Sequence, residues 1–267
     1  MLNKDRGSRV EARGSFLVPR TSYLVPGSRP ILVGFVAWVL IFVLLQTFPA
    51  ESVADVYVYD AVAVQGEEVR LKAETRGTLF TQGGELVEFF VDDVSLGKNL
   101  SGGDGVAYRY YTASRTGLKT IRAVSRNTDA TGFLLVLKRG AGLVAVDVEG
   151  ALLLKGFLYP GRPESRQAVD SIAKRYPLIY LQTGETNLKA VRSWLKEYEY
   201  ADAPMLSWDE GSLFDSLEKK GLKVRAFIGG PGAIESAARH TSQAFSFEPV
   251  KGAVKLKSWK ELEERLK

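Results

Sequence analysis

A short apolar run that ends in a carboxylate most constrains what this chain can fold into. In GLVAVDVEGALLLKG (142–156), Leu143-Val144-Ala145-Val146 leads into Asp147, and Val148, Glu149 and Gly150 precede a second patch, Leu152-Leu153-Leu154. A valine-rich run bounded by glycines reads as a buried strand of a parallel sheet. Open α/β sheets hold their ligands beyond the carboxyl ends of the strands, where Asp147 falls. Glu149 points the same way if the strand continues, or is swung in at Gly150. A nucleophilic carboxylate beside a second acid is what phosphoryl transfer through an aspartyl-phosphate requires. The plainer reading is a strand, a turn and a stray acidic pair.

Strand and helix alternate after Asp147. Helices are expected over 163–176, 185–198, 212–221, 231–240 and 258–267, and strands over 178–183, 222–230 and 243–247. Ala168, Ile172 and Ala173 keep a helical period, as do Leu188, Val191, Trp194 and Leu195. Ser258 with Glu261 three residues on is a capping box. The alternation predicts a doubly wound parallel sheet over 141–267.

Before it the period is two. DVYVYDAVAV (55–64), EEVRLKAE (67–74), ELVEFFVDD (85–93), GLKTIRAVS (117–125) and GFLLVLKR (132–139) are separated by glycines, so 55–140 reads as an antiparallel β-sandwich. The segment GDGVAYRYYTASRTGLKTIRA (103–123) resembles the end of bacterial immunoglobulin-like domains. The period switches at Gly140-Ala141-Gly142, the expected boundary between the two halves.

Ile31 to Phe48 carries no charge and is bracketed by Pro30 and Pro49. At 1.5 Å per residue it just spans a hydrocarbon core of roughly 30 Å, and it is the expected transmembrane helix. A cleaved signal peptide is the rival, with Ser52-Val53-Ala54 as its small residues. Residues 1–30, polar and rich in Gly, Ser, Pro and Arg, form the expected disordered tail. Residues 1–50 hold six Lys/Arg against two acids, residues 51–140 are at −1 and residues 141–267 at +2. The positive tail is expected in the cytoplasm, and the rest outside it. The folded part offers no basic face for nucleic acid. The absence of cysteine excludes disulfides, thiolate metal sites and thiol nucleophiles. The single histidine, His240, excludes a multi-histidine metal centre and reads as a surface or capping residue.

Asp147-Val148-Glu149-Gly150-Ala151 resembles the first motif, DxDx(T/V), of the haloacid dehalogenase (HAD) superfamily of phosphohydrolases, with Glu at its second acid and Ala at its last position. Thr183 in IYLQTGET, followed by Gly184, stands where that family's second motif binds a phosphoryl oxygen. The cadence of LYPG…AVDSIAKRYPLIYLQTGETNLKAVRSWL is similar to the LNS2 domains of lipins and phosphatidylinositol-transfer proteins, HAD relatives that act on or bind phosphatidic acid. The resemblance implies a HAD-like Rossmannoid fold, Asp147 as nucleophile, Glu149 as acid/base and Thr183 with Gly184 on the phosphate. It also implies a lysine, for which Lys219, Lys220 and Lys223 are candidates. The fourth motif's acids, which would hold Mg²⁺, are missing: Gly230 and Ala233 or Ile234 stand in their places, and Glu235 alone reaches back toward Asp147.

Weak or absent Mg²⁺ binding is therefore expected. Two functions follow as expectations. One is a membrane-anchored HAD-type phosphatase of weak or absent activity on a phosphorylated small molecule or phospholipid headgroup. The other is a catalytically dead HAD fold that binds a protein or ligand at the envelope, with the sandwich as a second contact surface.

Overall fold

A computed structural model describes residues 55–77, 80–154 and 159–266. The described residues form one compact unit. The expected tail over 1–30 and transmembrane helix over 31–48 lie outside the described residues. Among the described residues, no helix is long and apolar enough to cross a membrane.

Eight strands come first: β1 (Asp55–Val58), β2 (Ala61–Val64), β3 (Glu68–Arg76), β4 (Leu86–Val91), β5 (Val94–Leu100), β6 (Val106–Thr112), β7 (Gly117–Ser125) and β8 (Thr128–Leu137). They make two sheets, β1-β3-β6 and β2-β8-β7-β4-β5. Every pairing is antiparallel except β2 with β8, which is parallel. Alternation sets the inner face. Val87, Phe89 and Val91 of β4 are buried and join Leu71, Ile121, Ala123, Leu134 and Val136 in the sandwich core. The β4–β5 hairpin turns at Asp92 and Asp93, both at positive φ (48° and 62°), as a two-residue turn of the right twist demands. Asp92 tolerates this because its carboxylate accepts the Thr120 N–H at 3.0 Å and pairs with Lys119.

The second half contains β9 (Gly142–Asp147), a π-turn (Val148–Leu152), α1 (Ser165–Ala173), β10 (Leu178–Gln182) and α2 (Leu188–Glu197). Then follow β11 (Met205–Ser207), α3 (Ser212–Lys219), β12 (Lys223–Ile228), α4 (Pro231–Ala237), β13 (Ala244–Ser246), β14 (Val254–Lys255) and α5 (Trp259–Arg265). Its six strands are all parallel, in the order β11-β10-β9-β12-β13-β14. On one face Val144, Val146, Tyr180 and Ile228 pack against α1, α2 and α5. On the other, Leu143, Ala145, Ile179 and Phe227 pack against α3 and α4. Ser258 caps α5 by accepting the Glu261 N–H, while Glu261 reaches back one residue further than a capping box requires, to the Lys257 N–H.

The two halves share a core. Val62 and Val64 of β2 and Leu135 and Leu137 of β8 lie in the cluster that holds Leu143, Phe214 and Leu217. Strand β8 is therefore buried on both faces, Leu134 and Val136 toward the sandwich and Leu135 and Leu137 toward the parallel sheet. Polar ties cross the same boundary. Asp60, whose side chain is 1% exposed, accepts the N–H groups of Phe133 and Met205, both at 2.7 Å, and lies 2.9 Å from Arg192 Nη2. Arg192 Nη1 donates to the carbonyls of Val58 and Thr131.

The expected fold class needs correction. It had a transmembrane helix, for which the described residues give no support. It also had an immunoglobulin-like sandwich leading to a separate HAD-like doubly wound domain. Strand dominates instead: fourteen strands stand against five α-helices among the described residues, none longer than the ten residues of α2. The parallel half is not a separate domain, because β2 and β8 of the sandwich bury Val62, Val64, Leu135 and Leu137 in the same cluster as α3, α4 and that face of the parallel sheet.

Leu135→Ala is expected to lower stability by about 2–5 kcal/mol, the usual result of emptying a packed leucine site. In urea, the fluorescence of Trp194, Trp208 and Trp259 and the far-ultraviolet dichroism should shift together, although the substitution sits in the sandwich. A tryptophan transition left in place would show two halves unfolding separately.

Candidate functional site

Three strand ends converge on Asp147. It closes β9, the strand paired on one side with β10 and on the other with β12. The chain leaves β9 through the π-turn, with Asp147 as its N-cap in an extended conformation. Asp147 Oδ1 accepts the Gly150 N–H at 3.0 Å and the Thr183 Oγ1 hydroxyl at 2.6 Å. Asp147 Oδ2 accepts the Gly230 N–H at 2.9 Å. Thr183 follows β10, and Gly230 caps the start of α4 after β12. Gly150 is required by this closeness: a Cβ there would stand 2.2 Å from Asp147 Oδ2 and 2.2 Å from the Gly230 nitrogen.

The result is a closed cluster. Asp147 is 1% exposed. Burial pushes its pKa up, and the hydrogen bonds from Gly230, Thr183 and Gly150 counter that only in part. Glu149 sits in the π-turn and accepts the Thr183 N–H at 3.0 Å through Oε2. Its Oε1 is buried without a hydrogen-bond partner. Burial is the main cause that raises its pKa, and the charge of Asp147 adds to it. Gly184 lies flush against it, since a Cβ there would meet Glu149 Cγ at 3.1 Å.

The sequence thus brings Asp147, Glu149, Thr183 and Gly184 together, but the donors are spent within the group. Both the N–H and the hydroxyl of Thr183 go to the two carboxylates, and neither is left for a phosphoryl oxygen. The Gly184 carbonyl takes a hydrogen bond from the Gln182 side chain.

The lysines lie at the other end of the sheet. Lys223 begins β12 and is in register with Gly142, the first residue of β9, whereas Asp147 is the last. Lys219 and Lys220 end α3 just before that strand start. Lys220 Nζ donates to the Val62 carbonyl at 2.7 Å, a strut between the two halves. In a parallel sheet the residues that join a helix to the next strand always collect at the strands' amino ends, so spacing alone misplaces such lysines. Glu235 lies on the exposed side of α4, opposite the buried Ala233, Ile234 and Ala237. The Gly230 amide, not an acid, faces Asp147 Oδ2.

Cavities of about 510 Å³ and 250 Å³ lie elsewhere, the first beside Leu118, Lys138, Arg175 and Tyr176, the second beside Asp60, Arg192 and Tyr200. Sequence reasoning did not find Asp60 or Arg192. Asp60 sits in an alternating run that reads as one strand, and Arg192 on the polar side of a helix, so no local pattern marks them as partners.

No protein-family model matches the chain, and no curated protein does. Similar solved structures include the CARDB domain of a Pyrococcus furiosus protein, 13% identical, covering 32% of this chain and 85% of that one at a TM-score of 0.25. Another is the IG27 protein domain, 11% identical, covering 33% and 98%, at 0.27. A third is the fibronectin(III)-like modules of Clostridium thermocellum CbhA, 15% identical, covering 31% and 97%, at 0.23. The resemblance of Asp147-Val148-Glu149-Gly150-Ala151 and Thr183 to the HAD superfamily, and with it the terms hydrolase and phosphatase, is corrected: no family model and no curated relative supports it. Gly230, which stands where that family's motif has a metal-binding acid, meets Asp147 with an amide donor.

Proposed function

We propose that this chain is a non-catalytic binding or interaction module, in which the acid cluster is a structural fastening. One observation carries this reading: Asp147 spends its carboxylate on Gly150, Thr183 and Gly230 while 1% exposed. A nucleophile must present a lone pair about 3–3.5 Å from the reacting atom in an open site. Asp147 would have to break bonds to three strand ends to do so. The sandwich supports a contact role. Leu86 and Leu100, both exposed, stand directly opposite each other on β4 and β5.

Turnover decides between fastening and nucleophile. Assayed against a panel of phosphomonoesters with Mg²⁺, the full chain is expected to show no hydrolysis that Asp147→Asn abolishes. Asp147→Asn should instead unfold more easily, by about 1–3 kcal/mol, because its amide opposes backbone donors. Asp147-dependent turnover would overturn the proposal.

Glu149 supplies a second test through pH. A carboxyl whose folded pKa is raised destabilises the fold as the anion. That penalty is absent below the ordinary value of 4.5 and grows as pH rises through the folded value. Glu149→Gln keeps an oxygen for the Thr183 N–H and removes the buried charge. It is expected to raise Tm at pH 7, with the gain fading by pH 4. A lower Tm at pH 7 would mean that the anion itself stabilises the turn.

A further inference from the structure

We propose that Asp215, Glu218 and His240 form a binding site for a first-row divalent cation, with Zn²⁺ the best match to the ligand set. Asp215 and Glu218 are three apart on α3 and so share a face of that helix. His240 follows α4, at the end away from Gly230. Its segment is pinned: the N–H groups of His240 and Thr241 both bond the Ala237 carbonyl, and Thr241 bridges Val224 of β12. The imidazole stacks on Phe214, with ring centroids 6.0 Å apart and planes 15° from parallel. Phe214 is itself buried edge-on against Phe227. The histidine side chain is 12% exposed and fixed in orientation by that stack.

The ring nitrogens face the two carboxylates. Nδ1 lies 2.9 Å from Glu218 Oε2 and Nε2 lies 3.4 Å from Asp215 Oδ1. One ligand atom from each residue falls within 4.8 Å of the others. A tetrahedral Zn²⁺ with bonds near 2.0–2.1 Å needs ligand separations of roughly 3.3 Å. The carboxylates can make that adjustment, since their side chains are 60% and 72% exposed.

Charge favours occupation. Among the described residues, His240 is the one basic group within ion-pair distance of either carboxylate. Two like charges are thus held side by side with a single imidazole between them, and a divalent ion compensates both. Imidazole among the ligands points to Zn²⁺ rather than Mg²⁺ or Ca²⁺, which take oxygen. Three protein ligands leave a fourth position open.

The test is calorimetric titration of the untagged full chain with ZnCl₂, followed in parallel by the NMR signals of its one imidazole. A single saturable equivalent is expected, with the His240 ring signals shifting in step. His240→Gln should weaken binding at least tenfold, and Asp215→Asn and Glu218→Gln about tenfold each. The two carboxylates are exposed, so their variants keep the fold even if His240→Gln disturbs the Phe214 stack. No saturable binding, or binding unchanged in both carboxylate variants, overturns the site.

Discussion

The structure depends on a buried carboxylate that joins its two halves. Asp60 sits between β1 and β2, yet it serves β8 through Phe133, β11 through Met205 and α2 through Arg192. Removing such a charge from water costs several kcal/mol unless every oxygen is met by donors. Two backbone amides and a guanidinium meet it here, and Arg192 hands a further donor to the Val58 and Thr131 carbonyls. Breaking the pair would leave an uncompensated ion and unpaired amides in both halves at once. The joint therefore fixes orientation more than it adds net stability, while the apolar layer of Val62, Val64, Leu135 and Leu137 supplies the burial.

Asp147 repeats the device inside the parallel sheet. It stands at the carboxyl end of the central strand, where ligand sites open in sheets of this kind. Here that end is sealed. Glycines at 150 and 230 let backbone amides approach the carboxylate as closely as a substrate or metal would. The carboxylate's hydrogen bonds to Gly150, Thr183 and Gly230 tie three strand ends together.

Parts of this were legible in the sequence. The alternation in β4 and the glycine-bounded run before Asp147 gave the strands and their buried faces, and the strand-end positions of Asp147 and Thr183 brought them together. The run Phe133 to Leu137 also carried a signal: a sandwich strand without polar alternation is covered on both faces. Other features were not legible. Motif spacing misplaced Lys219, Lys220 and Lys223, although a helix-to-strand junction in a parallel sheet lies at the strands' amino ends, away from Asp147. A missing acid at Gly230 reads as loss, whereas the geometry makes it a gained amide donor. The clustering of Asp215, Glu218 and His240 depends on how α3 and α4 pack, and no local pattern encodes it.

The parallel pairing of β2 with β8 also bears on the order in which the chain assembles. Ala61 pairs with Leu134, so this edge closes only after nearly all of the sandwich has been synthesised. Even then the outer face of β8 has no cover. Leu135 and Leu137 meet Phe214 and Leu217 only when α3 arrives, some eighty residues later. At typical synthesis rates of about 5–20 residues per second, that strip stays bare for seconds on the ribosome. The seam that makes the finished molecule one body is thus, while the chain is being made, an open apolar strand face.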